Sequence, residues 1–270
     1  MKRSFVLKSV FAKISFFAFL MIVSFASCKG QNNPSNEPEE PKEIQTVHLD
    51  EDEFENILAD KDKIKDYLMI DVRHVGEEGY KENIEYQAGH TFCAISIPLD
   101  IKKYDEKDKA KDETRFTDTS IFDSKLIEGM QDKKIILQCK GDNRSQKTWR
   151  ILHHRGYKNL FYVYGASAYT TAKIPGKDRN YKKENYSRIP AILESQIPQG
   201  AKILDVRSMT DEAIKAEAAK LKKTEIAVVR AGDARTAYDK AKIIEKVLEL
   251  GAGSSNDDYK RLQICVTPLK

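Results

Sequence analysis

The chain has 270 residues, 40% of them hydrophobic and 33% charged, enough for one large or two small globular domains. Its formal net charge of +4 resides in the first 27 residues, which carry Lys2, Arg3, Lys8 and Lys13 and no acid. Taking those four from 46 basic side chains leaves 42 against 42 acidic ones, so there is no electrostatic case for nucleic acid as a partner.

The N-terminus accounts for that asymmetry. MKRSFVLKSVFAK is a basic start, and ISFFAFLMIVSFA is an apolar run of signal-peptide length, too short to be read first as a membrane span. Phe25-Ala26-Ser27-Cys28 resembles the cleavage motif of bacterial lipoproteins, which implies a signal peptide over 1–27 and lipidation of Cys28. Ordinary cleavage near Ala26 is the alternative. The following stretch, KGQNNPSNEPEEPKE, is polar with nothing to bury, so 28–45 reads as a disordered tether. With Cys28 lipidated, Cys93, Cys139 and Cys265 remain, an odd number that leaves at least one thiol unpaired or reactive.

In chain order, VHLDEDEFENIL (47–58) reads as a short strand and a helix opened by Asp50. Tyr67 to Arg73 is a buried-type strand, and GHTFCAISIPL (89–99) is a turn and a strand that stops at Pro98. The charged segment 102–118 reads as a solvated excursion, and Ile121 to Met130 as a helix. Ile135-Ile136-Leu137 then runs as a strand into Gln138 and Cys139, with a helix expected from Gln146 and capped by Gly156. Leu160 to Tyr164 is a further strand, and Gly165-Ala166-Ser167 a turn. Strands alternating with helices predict an α/β fold, a parallel sheet flanked by helices.

Cys139 stands at a strand's C-terminal end, where open α/β sheets present ligands. The loop Lys140-Gly141-Asp142-Asn143-Arg144-Ser145 precedes a helix, whose N-terminus supplies N–H donors and positive potential, and Arg144 adds a full charge. All of these favour the thiolate, the nucleophilic form.

Taken in order, Asp71-Val72-Arg73, Gly89-His90, Ala94-Ile95, Ile97-Pro98-Leu99, Cys139 with Arg144-Ser145, and Gly156-Tyr157 resemble the rhodanese domain, an α/β sulfurtransferase family that carries sulfur as a cysteine persulfide. The resemblance covers 46–172 and implies a catalytic Cys139, with the backbone of Lys140, Gly141, Asp142, Asn143, Arg144 and Ser145 binding the anionic sulfur. Related cysteine phosphatases place five residues between Cys and Arg; four stand here, which suits sulfur better than phosphate. This sequence departs from the family in the early glycine Gly141, in Cys93 where a glycine is common, in Tyr164-Gly165-Ala166 for a double glycine, and in Tyr169 near a usual tryptophan. Asp71 and Arg73 read as fold-holding charges and His90 as a turn cap. The adjacent His153 and His154 cannot share one helix face as metal ligands would. No metal, nucleotide or phosphate-loop signature is present, and no cofactor is expected.

The second half echoes the first: Leu204-Asp205-Val206-Arg207 repeats Ile70 to Arg73, and Gly232-Asp233-Ala234-Arg235-Thr236 repeats Gly141 to Ser145, with Arg230 opposite Cys139. After a linker at 173–186, 187–270 therefore reads as a degenerate second rhodanese-like domain, so that two tandem domains, each with its own parallel sheet, are expected. Arginine carries no persulfide. The second half is either a structural or docking unit, the favoured reading, or an anion cradle bracketed by Arg230 and Arg235.

The expected function is a cell-envelope sulfurtransferase, lipid-anchored on the periplasmic or outer face of a bacterial membrane. It forms a persulfide on Cys139 from a small anionic sulfur donor (thiosulfate or a persulfide) and passes the sulfur to a thiol or cyanide acceptor. It meets the membrane only through its N-terminal lipid. The alternative is a non-catalytic module that binds a protein or an anion in the envelope. An open electropositive pocket over Cys139 would favour the enzyme, and an acidic or blocked one the alternative. A Cys93–Cys139 disulfide switch requires the two Cα atoms within roughly 7 Å.

Overall fold

The computed structural model describes residues 47–73, 84–165 and 182–266. The expected signal peptide, Cys28, the tether, Tyr169 and the linker up to residue 181 lie outside them. Asp50 opens α1 (Glu51–Ala59), its carboxylate accepting from the N–H of Asp52 at 2.8 Å, and the helix turns Phe54, Ile57 and Leu58 inward. Five parallel strands follow the order β1-β6-β5-β2-β4: β1 (Val47–His48), β2 (Tyr67–Asp71), β4 (Ala94–Ser96), β5 (Lys134–Gln138) and β6 (Asn159–Tyr162). Ile135, Ile136 and Leu137 of the internal β5 are wholly buried, which is why a continuous apolar run encodes it rather than an alternation.

The second half repeats this winding in the order β8-β11-β10-β9, from β8 (Ala191–Ile192), β9 (Lys202–Asp205), β10 (Ala227–Arg230) and β11 (Leu262–Cys265). Its helices are α5 (Asp211–Ala218), α6 (Ala234–Val247) and α7 (Asn256–Lys260). The expectation of a separate sheet for each half is corrected here. β4 and β8 pair in parallel through Ile95 and Ala191, so the two sets of strands form one nine-stranded sheet within a single compact unit. Both are short edges with unpaired backbone groups, and joining them removes two edges at once. The hydroxyl of Tyr86, on α2 (Ile84–Gln87), fastens the seam: it donates to Ala94 O at 2.7 Å and accepts from Ala191 N at 3.0 Å. Beside it, β3 (His90–Thr91) pairs antiparallel with β7 (Tyr186–Ser187), so the end of the expected linker is structured.

Two segments differ from their sequence reading. The charged run 102–118 begins as a helix, α3 (Ile101–Lys109), because Asp100 caps it and Tyr104 is fully buried. Conversely, the helix expected over Ile121–Met130 is a set of turns with one 3₁₀ turn at Lys125–Ile127. Arg155 collects the carbonyls of Phe116, Asp118 and Phe122 there, and Gly129 takes a left-handed φ of 81°.

His90 is buried against the seam, Nδ1 at 2.8 Å from Tyr86 O and Nε2 at 3.0 Å from Ile189 O, a wider role than capping a turn. Burial outweighs both carbonyls and lowers its pKa to about 4. The unfolded chain therefore binds the extra proton first, and stability falls as pH drops from 6.5 toward 4. His90→Gln should remove up to about 3 kcal/mol of that loss, read from urea unfolding at pH 7 and pH 4.

Candidate active site

Cys139 follows β5 directly and is 1% exposed. The helix after it, α4 (Asn143–His154), starts three residues before the expected Gln146, so Asn143, Arg144 and Ser145 form its first turn. Gly156 ends the helix with φ 86° and an N–H bond to His153 O.

Five consecutive N–H groups, Gly141 through Ser145, meet no acceptor among the described residues. Asp142 occupies the cap position without making a side-chain cap bond. The hydroxyl of Ser145 is fully buried and has no partner among the described residues. This end of α4 thus leaves donors without an acceptor among the described residues, just after Cys139 in the chain. Lys140 and Asn143 are exposed on its rim.

The second half supplies an internal control. Asp233 caps α6, its carboxylate accepting from Thr236 N at 2.7 Å and from Thr236 Oγ1 at 2.8 Å. These are the counterparts of Asp142 and Ser145, closed on each other. Arg235, the counterpart of Arg144, bonds Asn185 at 2.6 Å and pairs with Asp239, while Arg230 pairs with Glu194. The second helix is thus capped by its own aspartate, and its two arginines are paired within the protein. One alignment is corrected. Val206 N donates to Arg230 O as Val72 N donates to Gln138 O, so Arg230 holds the place of Gln138 and Ala231 that of Cys139. The second loop is one residue shorter.

Two residues, Glu85 and Gln138, were given no role by the sequence reading, and Gly165 entered it only as a turn residue and in place of a usual double glycine. Glu85, on α2, accepts from Arg144 Nη1 at 2.9 Å, so the loop's cation is already paired. Gln138 is buried, its Oε1 accepting from Thr91 Oγ1 at 2.6 Å while its Nε2 has no partner among the described residues. Gly165 lies against the loop: a Cβ there would overlap the carbonyl oxygen of Cys139 and the carbonyl group of Lys140. Since backbone would have to yield, Gly165→Ala should cost about 3 kcal/mol in denaturant unfolding and unseat the loop. Glu85 and Gln138 carry no sequence signal beyond proximity to the motifs.

The remaining candidates are elsewhere. Asp71 and Arg73 form a buried bidentate pair, Nη2 to Oδ2 at 2.6 Å, that also holds Gly89 O. His153 and His154 stack on Trp149 and Phe116 respectively. Among the described residues no group of three or more His, Cys, Asp or Glu side chains is placed to hold a metal. Cys93, Cys139 and Cys265 are all free and buried. Through Ala94 and Met69, Cys93 aligns one residue before the level of Ile136, two strands and four residues of rise from Cys139. That is about 16 Å, which removes the disulfide switch.

Residues 50–171, which hold the strand-end thiol and the helix N-terminus after it, match the family model of the rhodanese-like domain. Among curated proteins it is similar to tRNA uridine(34) hydroxylases of Erwinia tasmaniensis, 29% identical over 85 residues, and Sodalis glossinidius, 28% over 110. The matches cover 32% and 41% of this chain and 20% and 24% of those proteins, so it spans about a quarter of their length or less. Among solved structures, a rhodanese-like domain from Anabaena aligns at 16% identity and TM-score 0.32, over 62% of this chain and 95% of that one. Thiosulfate sulfurtransferase from Pseudomonas aeruginosa aligns at 11% and 0.28, over 82% and 41%.

Proposed function

We propose that this protein is a sulfurtransferase built as two tandem rhodanese-like units on one sheet, of which only the first works. The observation that carries this reading is a thiol at the C-terminal end of β5, just before a helix whose Asp142 makes no side-chain cap bond and whose buried Ser145 hydroxyl has no partner among the described residues, whereas Asp233 and Thr236 satisfy each other at the second helix. The Cys139 thiolate attacks the sulfane sulfur of an anionic donor. With thiosulfate, a new S–S bond forms, the donor's S–S bond breaks, and sulfite leaves with its electron pair. The product is a persulfide anion, which the open donors hold. A thiol or cyanide then takes the outer sulfur and the thiolate returns.

Envelope placement through a lipid on Cys28 belongs to the same proposal and rests on the N-terminal sequence. The curated relatives are named for tRNA, but this chain beyond its first 27 residues is neutral, which argues against that partner. A second reading, a non-catalytic binding module, is favoured by one observation: Glu85 already neutralises Arg144 above a buried thiol. One measurement separates the two. Incubated with thiosulfate, the protein gains one sulfur by intact mass and loses it to cyanide if it is the enzyme; an unchanged mass selects the binding module.

A further inference from the structure

The seam between the halves carries a half-open pocket of about 250 Å³, lined in part by Tyr86, Ser96, Arg188, Asn256, Tyr259 and Gln263. It lies away from the Cys139 loop and uses none of its residues. Arg188 is the unusual member. Its guanidinium stacks on Tyr259 at 4.3 Å and donates to Ser254 O at 3.1 Å and Asn256 Oδ1 at 2.8 Å, all neutral partners. The carboxylates of α7 are engaged elsewhere, Asp257 with Lys260 and Asp258 with Ser255. A partly buried cation thus borders a cavity with no counter-ion among the described residues and with unused N–H donors. Gln263 also lines the cavity, its Nε2 fixed on Lys260 O at 3.1 Å.

We propose that this pocket is a second binding site, for a small carboxylate with a flat apolar body. The carboxylate neutralises Arg188, and the apolar body lies along the tyrosine rings. The site is independent of the sulfur chemistry.

The test is calorimetric titration of the full-length protein in detergent with benzoate and with benzamide, which has the same ring and no charge. Benzoate should bind saturably and at least tenfold tighter than benzamide. Arg188→Met should weaken benzoate at least tenfold, and Cys139→Ser should change nothing. No saturable binding overturns the proposal, as does full affinity in Arg188→Met. Loss of binding in Cys139→Ser also overturns it, since the ligand then sits at the sulfur site. Should Arg188→Met fail to fold, the comparison of benzoate with benzamide decides alone.

Discussion

Cys139→Ser should take up no sulfur from thiosulfate and release no thiocyanate to cyanide, while its unfolding curve stays close to that of the parent. A serine hydroxyl fills the same buried space at the end of β5 but offers no thiolate to form the S–S bond. The other two thiols serve as controls because their surroundings differ. Burial pushes the Cys93 thiol far up, and it lies 3.3 Å from Met69 Sδ. Cys265 ends β11 and donates to Glu194 at 3.5 Å, on the half whose helix end is closed. Cys93→Ser and Cys265→Ser should both keep full activity. Sulfur uptake by Cys139→Ser would end the sulfurtransferase reading, and loss of uptake in Cys265→Ser would move the chemistry to the second half.

Much of this arrangement was legible in the chain. The run Ile135–Leu137 marks the internal strand, Asp50 and Gly156 mark helix ends through local bonds, and the paired Asp-Val-Arg and Gly-Asp…Arg motifs mark the repeat. All are local signals, set by residues a few positions apart. What escaped depends on distant partners. The single sheet arises from the meeting of β4 and β8 at Ile95 and Ala191, 96 positions apart (191 − 95), joined by one hydroxyl on Tyr86. The alignment of Arg230 with Cys139 followed the loop motif, whereas the sheet register places Ala231 there; one deleted loop residue is invisible when the glycine and aspartate still match. Glu85 and Gly165 reach the loop from 59 residues before Arg144 and from beyond β6, and neither distance is encoded in spacing.

The Arg144–Glu85 pair yields the second large effect. Arg144→Ala removes the only full positive charge on the first turn of α4, and the second-order rate with thiosulfate should fall roughly a hundredfold, as when a preorganised donor to a developing anion is lost. Glu85 acts in the opposite sense if it competes with the donor for the guanidinium. Its side chain is 37% exposed against 16% for Arg144, so the pair is partly screened, and breaking it should cost the fold less than about 1 kcal/mol. Glu85→Gln keeps the shape while removing the charge. The KM for thiosulfate should then drop several-fold with kcat nearly unchanged, and the gain should shrink at high salt. If Glu85 instead holds Arg144 in place, Glu85→Gln will resemble Arg144→Ala, lowering kcat rather than KM. The two outcomes differ in sign, so steady-state kinetics at two ionic strengths distinguish a competitor from a clamp.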